Sequence, residues 1–387
     1  MNKVLRRLDD VCTVTMGQAP PGDAYNNDGE GWPLIAGAGD FANGRPAAKK
    51  HTREATKTSA TGDIILGIRA SIGEKVLSDG EYCLGRGVAG LRPSTELDGG
   101  FLWHWLTVAA PDLAAKGRGA TFKQVNRQDI GELLISVPDL EEQRRITEVL
   151  DRVDELRAKR RQSLAHLNDL TQSIFLDLIQ SRKSNADDWN DSLHLADVAD
   201  VSSGITKGRK SPTAALRSVP YLAVLNVQDK RLDLSTVKQI EATEAEIDRY
   251  RLRQGDLLLT EGGDPDKLGR GSIWNGELPE AIHQNHIFRV RVTRPEMVNP
   301  VYLSWLVSSN EGKRYFLRSA KQTTGIASIN MAQLRRFPLL LPPIGVQREF
   351  ISRVEAVEQL KAPYRRSLVE LDALFASLQD RAFRGLL

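Results

Sequence analysis

Apolar residues recur at steps of three and four along two long stretches of this chain, about Pro138 to Ile179 and about Pro342 to Phe383. In the first stretch the positions are Ile146, Leu150, Val153, Leu156, Leu164, Leu167, Leu170 and Ile174. In the second they are Phe350, Val354, Val357, Leu360, Leu368, Leu371, Leu374 and Leu378. Every member of one set lies the same distance from its counterpart, as in 350 − 146 = 204. Such steps gather side chains on one helical stripe, the seam pattern of a coiled coil. About 40 helical residues at 1.5 Å each make a rod of roughly 60 Å. The rest of each rod is charged, as in Asp151, Arg152, Glu155, Arg157, Lys159, Arg160 and Arg161. One helix cannot bury such a stripe alone, but two copies can bury it against each other. Two chains could pair through the same stripes; pairing within one chain is the expectation. Pro363 stands where the first stretch has Lys159 (363 − 204 = 159), which predicts a kink or short break in the second rod.

The segments before the rods repeat as well. Leu8-Asp9-Asp10-Val11-Cys12-Thr13-Val14 aligns with Leu195-Ala196-Asp197-Val198-Ala199-Asp200-Val201, and Gly17 with Gly204, at an offset of 195 − 8 = 187. Pro33-Leu34-Ile35-Ala36 meets Pro220-Tyr221-Leu222-Ala223 at the same offset. Gly62-Asp63-Ile64-Ile65-Leu66 then meets Gly255-Asp256-Leu257-Leu258-Leu259 at 193, Trp105-Leu106 meets Trp305-Leu306 at 200, and Asn126 meets Asn330 at 204. An offset that grows in steps describes a duplication with loop insertions in the second copy. Each half reads as mixed α/β. Short β-rich runs, Asp63–Ile68, Gly131–Val137, Asp256–Thr260, Ile287–Val292 and Phe337–Leu341, are separated by Gly, Asp and Asn turns. Helices are expected over Phe101–Ala110 and Val301–Ser308. In each copy the last strand ends at a proline, and Gln143-Arg144 or Gln347-Arg348 follows inside the helix start.

The resulting division is a first α/β domain over 1–137, a long helix over 138–182, a polar linker over 183–191, a second α/β domain over 192–341 and a second long helix over 342–387.

Composition changes the picture only by exclusion. The 387 residues are 41% hydrophobic and 27% charged, ordinary for a globular protein with two or three cores. No apolar run approaches the roughly 20 residues of a membrane span. The start, Met1-Asn2-Lys3-Val4-Leu5-Arg6-Arg7, runs into Asp9-Asp10 with no apolar core, so no signal peptide is expected. Two cysteines, Cys12 and Cys83, suit a reducing compartment, and the cytoplasm is the expected location. A net charge of +3 means that any nucleic-acid surface is local.

Two α/β domains alternating with two long helices, each entered through Pro-x4-Gln-Arg, resemble the specificity subunit of type I restriction–modification systems. The resemblance rests on Pro138-Asp139-Leu140-Glu141-Glu142-Gln143-Arg144, on Pro342-Pro343-Ile344-Gly345-Val346-Gln347-Arg348, and on the closing Leu378-Gln379-Asp380-Arg381-Ala382-Phe383-Arg384-Gly385. The family's Gly-x-Thr-Pro turn is only half kept: Gly17-Gln18-Ala19-Pro20 lacks the Thr and Gly204-Ile205-Thr206-Lys207 lacks the Pro. The resemblance implies tandem α/β target-recognition domains separated by an antiparallel intrachain coiled coil. It implies double-stranded DNA as ligand, each domain reading half of a split site, with two methyltransferase subunits docked on the helices and, in some systems, restriction subunits. It also implies a chain without catalysis of its own, S-adenosylmethionine, ATP and Mg belonging to the partners.

Reading split DNA requires two modules spaced to the helical repeat of about 34 Å, with cations for phosphates and Arg, Lys, Asn or Gln for base edges. In the first half the candidates are Lys49, Lys50, Arg53 and Lys57, then Lys116, Arg118, Lys123 and Arg127. In the second they are Thr206, Lys207, Arg209 and Lys210, then Lys267 with Arg270, and Lys321, Gln322 and Thr323. Surface loops are commonly basic, so the clusters weigh more than any single residue.

Three patterns point elsewhere and are set aside. Gly85-x-Gly87-x-x-Gly90 has the letters of a dinucleotide fingerprint but runs into Leu91-Arg92-Pro93, not a helix. His283-x-x-His286 has no third ligand at metal spacing, and a strand-flanking hydrogen-bonding pair is expected. Pro265-Asp266 with Glu311-Gly312-Lys313 imitates a nuclease motif across too long a gap. Neither a catalytic nor a metal site is expected. A coiled-coil scaffold whose α/β halves bind proteins is the competing class, and phosphate contacts would separate the two by their salt dependence.

Overall fold

The sequence offsets return as strand register. The computed structural model describes residues 5–119, 123–181, 189–208, 215–263, 268–323 and 326–386. It divides into two compact units, Met1–Leu164 with Pro363–Leu387, and Ala165–Ala362. In the first unit an antiparallel sheet runs in the order Cys12–Met16, Val88–Pro93, Ile64–Gly67, Lys75–Leu77. In the second unit the order is Ala199–Ser203, Ile287–Val292, Leu257–Thr260, Gly271–Ile273, the same topology with the same partners. The continuous apolar run of the third strand follows from burial on both faces. Ile64 and Leu66 join the core under the Trp105 helix, and Ile65 faces a separate cluster with Ile35 and Leu84. Leu257 and Leu259 divide from Leu258 in the same way.

A second sheet also recurs. Trp32–Ile35 pairs in parallel with Cys83–Leu84, and Arg217–Leu222 in parallel with Ile282–His283. Leu84 and His283 therefore hold one position in the two copies, opposite Ile35 and Leu222. The His283 ring is fully buried, its Nδ1 donating to the Tyr250 carbonyl at 3.1 Å, and burial pushes its pKa down to about 4. It does not pair with His286, which bonds Glu261 instead. The folded chain keeps His283 neutral where the unfolded chain, near 6.5, takes up a proton. Its contribution is thus present at neutral pH and lost as pH falls from about 6.5 toward 4, by about 3 kcal/mol. His283→Leu, which copies Leu84, is expected to remove that acid sensitivity from the second unit, read as denaturation midpoints of the two chains at pH 7 and pH 4.5.

Each unit backs its sheet with a helix, Gly99–Ala115 capped by Asp98 and Pro300–Ser308 capped by Asn299. The first was expected to stop before Pro111 but continues one further turn, burying Leu113. In the second unit a separate helix, Asn310–Ser319, follows and buries Phe316. The expected strand Phe337–Leu341 is absent; only the isolated bridges His194–Pro338 and Asn190–Leu341 remain. Its counterpart Leu134–Ser136 pairs with Leu5–Arg7. Pro338 stands where the first copy has Leu134 (338 − 204 = 134) and has no N–H to give a ladder.

The long helices run Leu140–Ser181 and Ile344–Arg384. The second passes through Pro363 without the expected break. Packing on both sides holds it: Val357 and Lys361 are buried before the proline and Phe375 and Ala382 after it. In the first unit Arg157 donates to Asp372 at 2.6 Å, and in the second Phe175 packs on Phe350 at 5.6 Å. Early residues of one helix thus meet late residues of the other, so the pair is antiparallel and intrachain.

The seam itself differs from the apolar stripe. Leu170, Leu360 and Leu374, expected within it, are 46%, 55% and 46% exposed. Ile146, Leu150, Val153, Phe350, Val354 and Val357 are buried, while Leu156, Leu167, Ile174, Leu371 and Leu378 are half-buried. An unbroken alternation of four and three runs Ile146, Leu150, Val153, Arg157, Arg160, Leu164, Leu167, Thr171, Ile174, Leu178. At 204 residues' offset it runs Phe350, Val354, Val357, Lys361, Tyr364, Leu368, Leu371, Phe375, Leu378, Ala382. Several of its positions are polar, and an apolar neighbour one residue earlier takes the eye. Lys361 is 3% exposed and donates to Thr171 Oγ1 at 3.0 Å and Glu358 at 2.6 Å. Its repeat equivalent Arg157 lies 4.2 Å from the Phe375 ring and bonds Asp154 and Asp372. A bonded cation at the same seam position of each helix, buried at Lys361 and half-buried at Arg157, penalises other registers.

Candidate nucleic-acid interface

The Gln of Pro-x4-Gln-Arg locks each helix to its unit. Gln143 is fully buried; its Oε1 accepts from Asp98 N at 2.7 Å, and its Nε2 donates to the carbonyls of Glu96 and Pro138 at 2.9 and 2.8 Å. Gln347, equally buried, accepts from Asn299 N at 2.9 Å and donates to Met297 and Pro342 at 2.8 and 2.9 Å. The same turn glycines recur too. A Cβ on Gly17 would lie 2.1 Å from the Gly85 carbonyl, and one on Gly204 1.9 Å from that of His283. Only glycine permits that approach. Gly87 is pressed against the Ala36 carbonyl and leads into the strand Val88–Pro93, so the Gly85 fingerprint is a strand entry.

Where the third strand of each sheet leaves the core, two hydrogen bonds fix its exit. Ile68 N donates to Gly87 O at 3.0 Å and Val125 N to Ile68 O at 3.1 Å. Glu261 N donates to His286 O at 3.0 Å and Ile329 N to Glu261 O at 2.9 Å, at offsets of 261 − 68 = 193 and 329 − 125 = 204. Beyond it Gln124 bridges Arg69 and Arg118, as Ser328 pairs with Gly262 and Lys321. The sequence-predicted Arg118 and Lys321 thus stand at equivalent places, both exposed.

In the first unit the structure brings Lys116, Arg118 and Lys123 together on the loop after Gly99–Ala115, while Arg127 opens the short helix that follows. Asp129 organises the loop, its carboxylate taking Arg118 at 2.9 Å and its carbonyl Lys116 at 3.4 Å. Asn126 caps the short helix that Arg127 begins, as Asn330 does in the second unit. Lys49, Lys50, Arg53 and Lys57 lie apart from this loop, on and beside the second sheet. Lys49 donates to Gly39 O at 2.7 Å and Arg53 to Glu30 at 2.7 Å, while Lys50 and Lys57 are exposed. In the second unit Thr206 and Lys207 are exposed after Ile205. Arg270 is half-buried at the strand exit, where its carbonyl accepts from Thr260 N at 3.1 Å and its Nη1 reaches Gln228 at 3.4 Å. Arg209, Lys210 and Lys267 lie outside the described residues, as do the side chains of Gln322 and Thr323.

Two further lysines face inward. Lys75 Nζ sits 4.6 Å from the Trp103 ring centroid and donates to Thr107 Oγ1, and burial lowers it to about 8. Lys230 Nζ sits 4.3 Å from the Trp305 centroid and donates to Ser304, lowered by burial to about 7. They come from unrelated segments. Gly271 takes the ladder place of Lys75, and Lys230 N bonds to Gly271 O, so the missing side chain is supplied from another loop. No periodicity in the sequence signals this substitution.

Residues 2–167 match the family model described as the type I restriction modification DNA specificity domain. The first copy of the repeat therefore carries the sequence pattern of that domain. Among relatives, a segment is 34% identical over 144 residues to the putative type I restriction enzyme MjaX specificity subunit of Methanocaldococcus jannaschii, covering 37% of this chain and 34% of that protein. The match therefore spans about a third of that relative's length. Identity is 24% over 316 residues with the type I restriction enzyme EcoKI specificity subunit of Escherichia coli, covering 76% of this chain and 67% of that one. The fold is similar to the crystal structure of the type I restriction-modification system S subunit from M. genitalium, with a TM-score of 0.59, 14% identity, and coverage of 99% of this chain and 96% of that one. The family model matches the first copy, and the second copy repeats its sheet topology and its Gln lock. No helix among the described residues is long and apolar enough to cross a membrane.

Proposed function

We propose that this chain is a type I restriction–modification specificity subunit that reads a split, asymmetric double-stranded DNA site, one half with each unit. Two methyltransferase subunits dock on the long helices, and restriction subunits join through them where the system has them. The observation that carries this reading is one backbone framework built twice, with exposed cations at the same strand exit but different side chains beside them. Identical scaffolds with unlike side chains suit two modules that hold phosphate alike and read different bases. The chain positions and selects. Adenine methylation with S-adenosylmethionine, and any ATP- and Mg-dependent cleavage, belong to the partners, in the cytoplasm.

The test is the adenine methylome of the host with the gene intact and deleted. Deletion is expected to abolish methylation at a single bipartite motif. A methylome that keeps all its bipartite motifs, in a host shown to express the chain with its methyltransferase subunit, would overturn the reading.

A further inference from the structure

The strand exits carry a pair of hydrogen-bonded side chains in each unit, and the two pairs are chemically unlike. In the first unit Arg69 Nε donates to Gln124 Oε1 at 2.7 Å. At the equivalent exit of the second unit, Gly262 and Ser328 replace them (69 + 193 = 262, 124 + 204 = 328). There the pair comes from the adjoining positions instead, His286 Nδ1 bonding Glu261 Oε2 at 2.6 Å. We infer that Arg69 with Gln124, and Glu261 with His286, are specificity-determining residues that read base edges in the two half-sites. The inference rests on the split-site reading above.

Three features support it. Each pair is held by backbone that the two copies share, through the bonds linking 68, 87 and 125 in one and 261, 286 and 329 in the other. Each adjoins a strand position bearing an exposed cation, Arg118 or Lys321, suited to a phosphate. The pairs themselves carry readout chemistry. The Arg69 terminal nitrogens and the Gln124 amide nitrogen make no hydrogen bond among the described residues and are left for a base edge, the former suiting guanine. Glu261 can accept from a cytosine amino group, which neither Arg69 nor Gln124 does as well. The side chains of Glu261 and His286 are 35% and 56% exposed, and Arg69 and Gln124 are half-buried, so all four combine support with access. An arginine steadied through Nε loses less freedom on meeting a base than a free one does.

The experiment uses the full chain with its methyltransferase subunits. It compares the methylomes of the parent, Arg69→Ala, Arg69→Lys and Glu261→Gln, then measures affinities for duplexes in which each letter of the site is varied. Arg69→Ala and Arg69→Lys are expected to relax discrimination at one letter of one half-site by roughly 10- to 100-fold. Glu261→Gln is expected to do the same at one letter of the other half-site, with all remaining letters and the spacer unchanged. Unchanged discrimination at every letter, or an even loss across both half-sites, would overturn the inference. Absence of a split motif in the parent would instead sink the functional reading on which it rests.

Discussion

Gln347→Ala is expected to destabilise the second unit by about 4 kcal/mol. The substitution strands the Asn299 N–H and the carbonyls of Met297 and Pro342, all bonded by a side chain with no solvent exposure. Leaving a buried polar group unsatisfied costs about 1–3 kcal/mol, and water entering the vacated space offsets part of the sum. Gln347→Glu keeps the size but removes the donor and buries a charge, so it is expected to be no milder. Urea denaturation of the full chain, followed by hydrogen exchange in Leu257–Thr260, measures the effect. A loss below about 1 kcal/mol would show that the lock is dispensable. Gln143→Ala should strike the first unit in the same way, since its three partners are the same backbone groups one repeat earlier.

That lock marks the limit of what the sequence makes legible. The Pro-x4-Gln spacing is visible twice, and it correctly locates both helix starts. The role of Gln143 is not, because its partners at 96 and 98 lie more than 40 residues away and are backbone atoms that carry no sequence signature. The same limit applies to the seam. Hydrophobic periodicity identifies both helices, but it selects Leu170 and Leu360 because the true heptad positions, Thr171 and Lys361, are polar, and it selects Leu374 over the adjoining, equally apolar Phe375. A strict alternation of four and three would have found them. The strand exits lie at the far end of this scale. Arg118 and Lys321 are readable as cations in loops, whereas Arg69 gains its meaning from Gln124, 55 residues on, and Glu261 from His286. Even the duplication hides a substitution there: the offsets align Arg69 with Gly262, and only the pairing of strands shows that another pair occupies the site.

Phe175→Ala carries the other large expected effect, a loss of about 4 kcal/mol confined to the second unit. Phe175 is 1% exposed, with ring centroids 5.6, 6.0 and 6.4 Å from Phe350, Trp305 and Tyr302. Truncating a buried phenylalanine costs about 3–5 kcal/mol through lost transfer energy and the cavity left behind. The edge-on contact with Phe350 and the tilted contacts with Trp305 and Tyr302 keep this site off the bottom of that range. Phe175→Leu refills most of the space and should lose roughly half as much. The repeat equivalent is Gln379 (175 + 204 = 379), whose amide nitrogen is buried without a partner among the described residues, so the first unit builds its core without an aromatic here. Hydrogen exchange separates the two outcomes. Protection should fall in Leu257–Thr260 and persist in Ile64–Gly67, whose own core is closed by Phe101 and Phe383 at 5.3 Å. Equal loss in both strands would mean that the continuous helices make the two units unfold as one cooperative body.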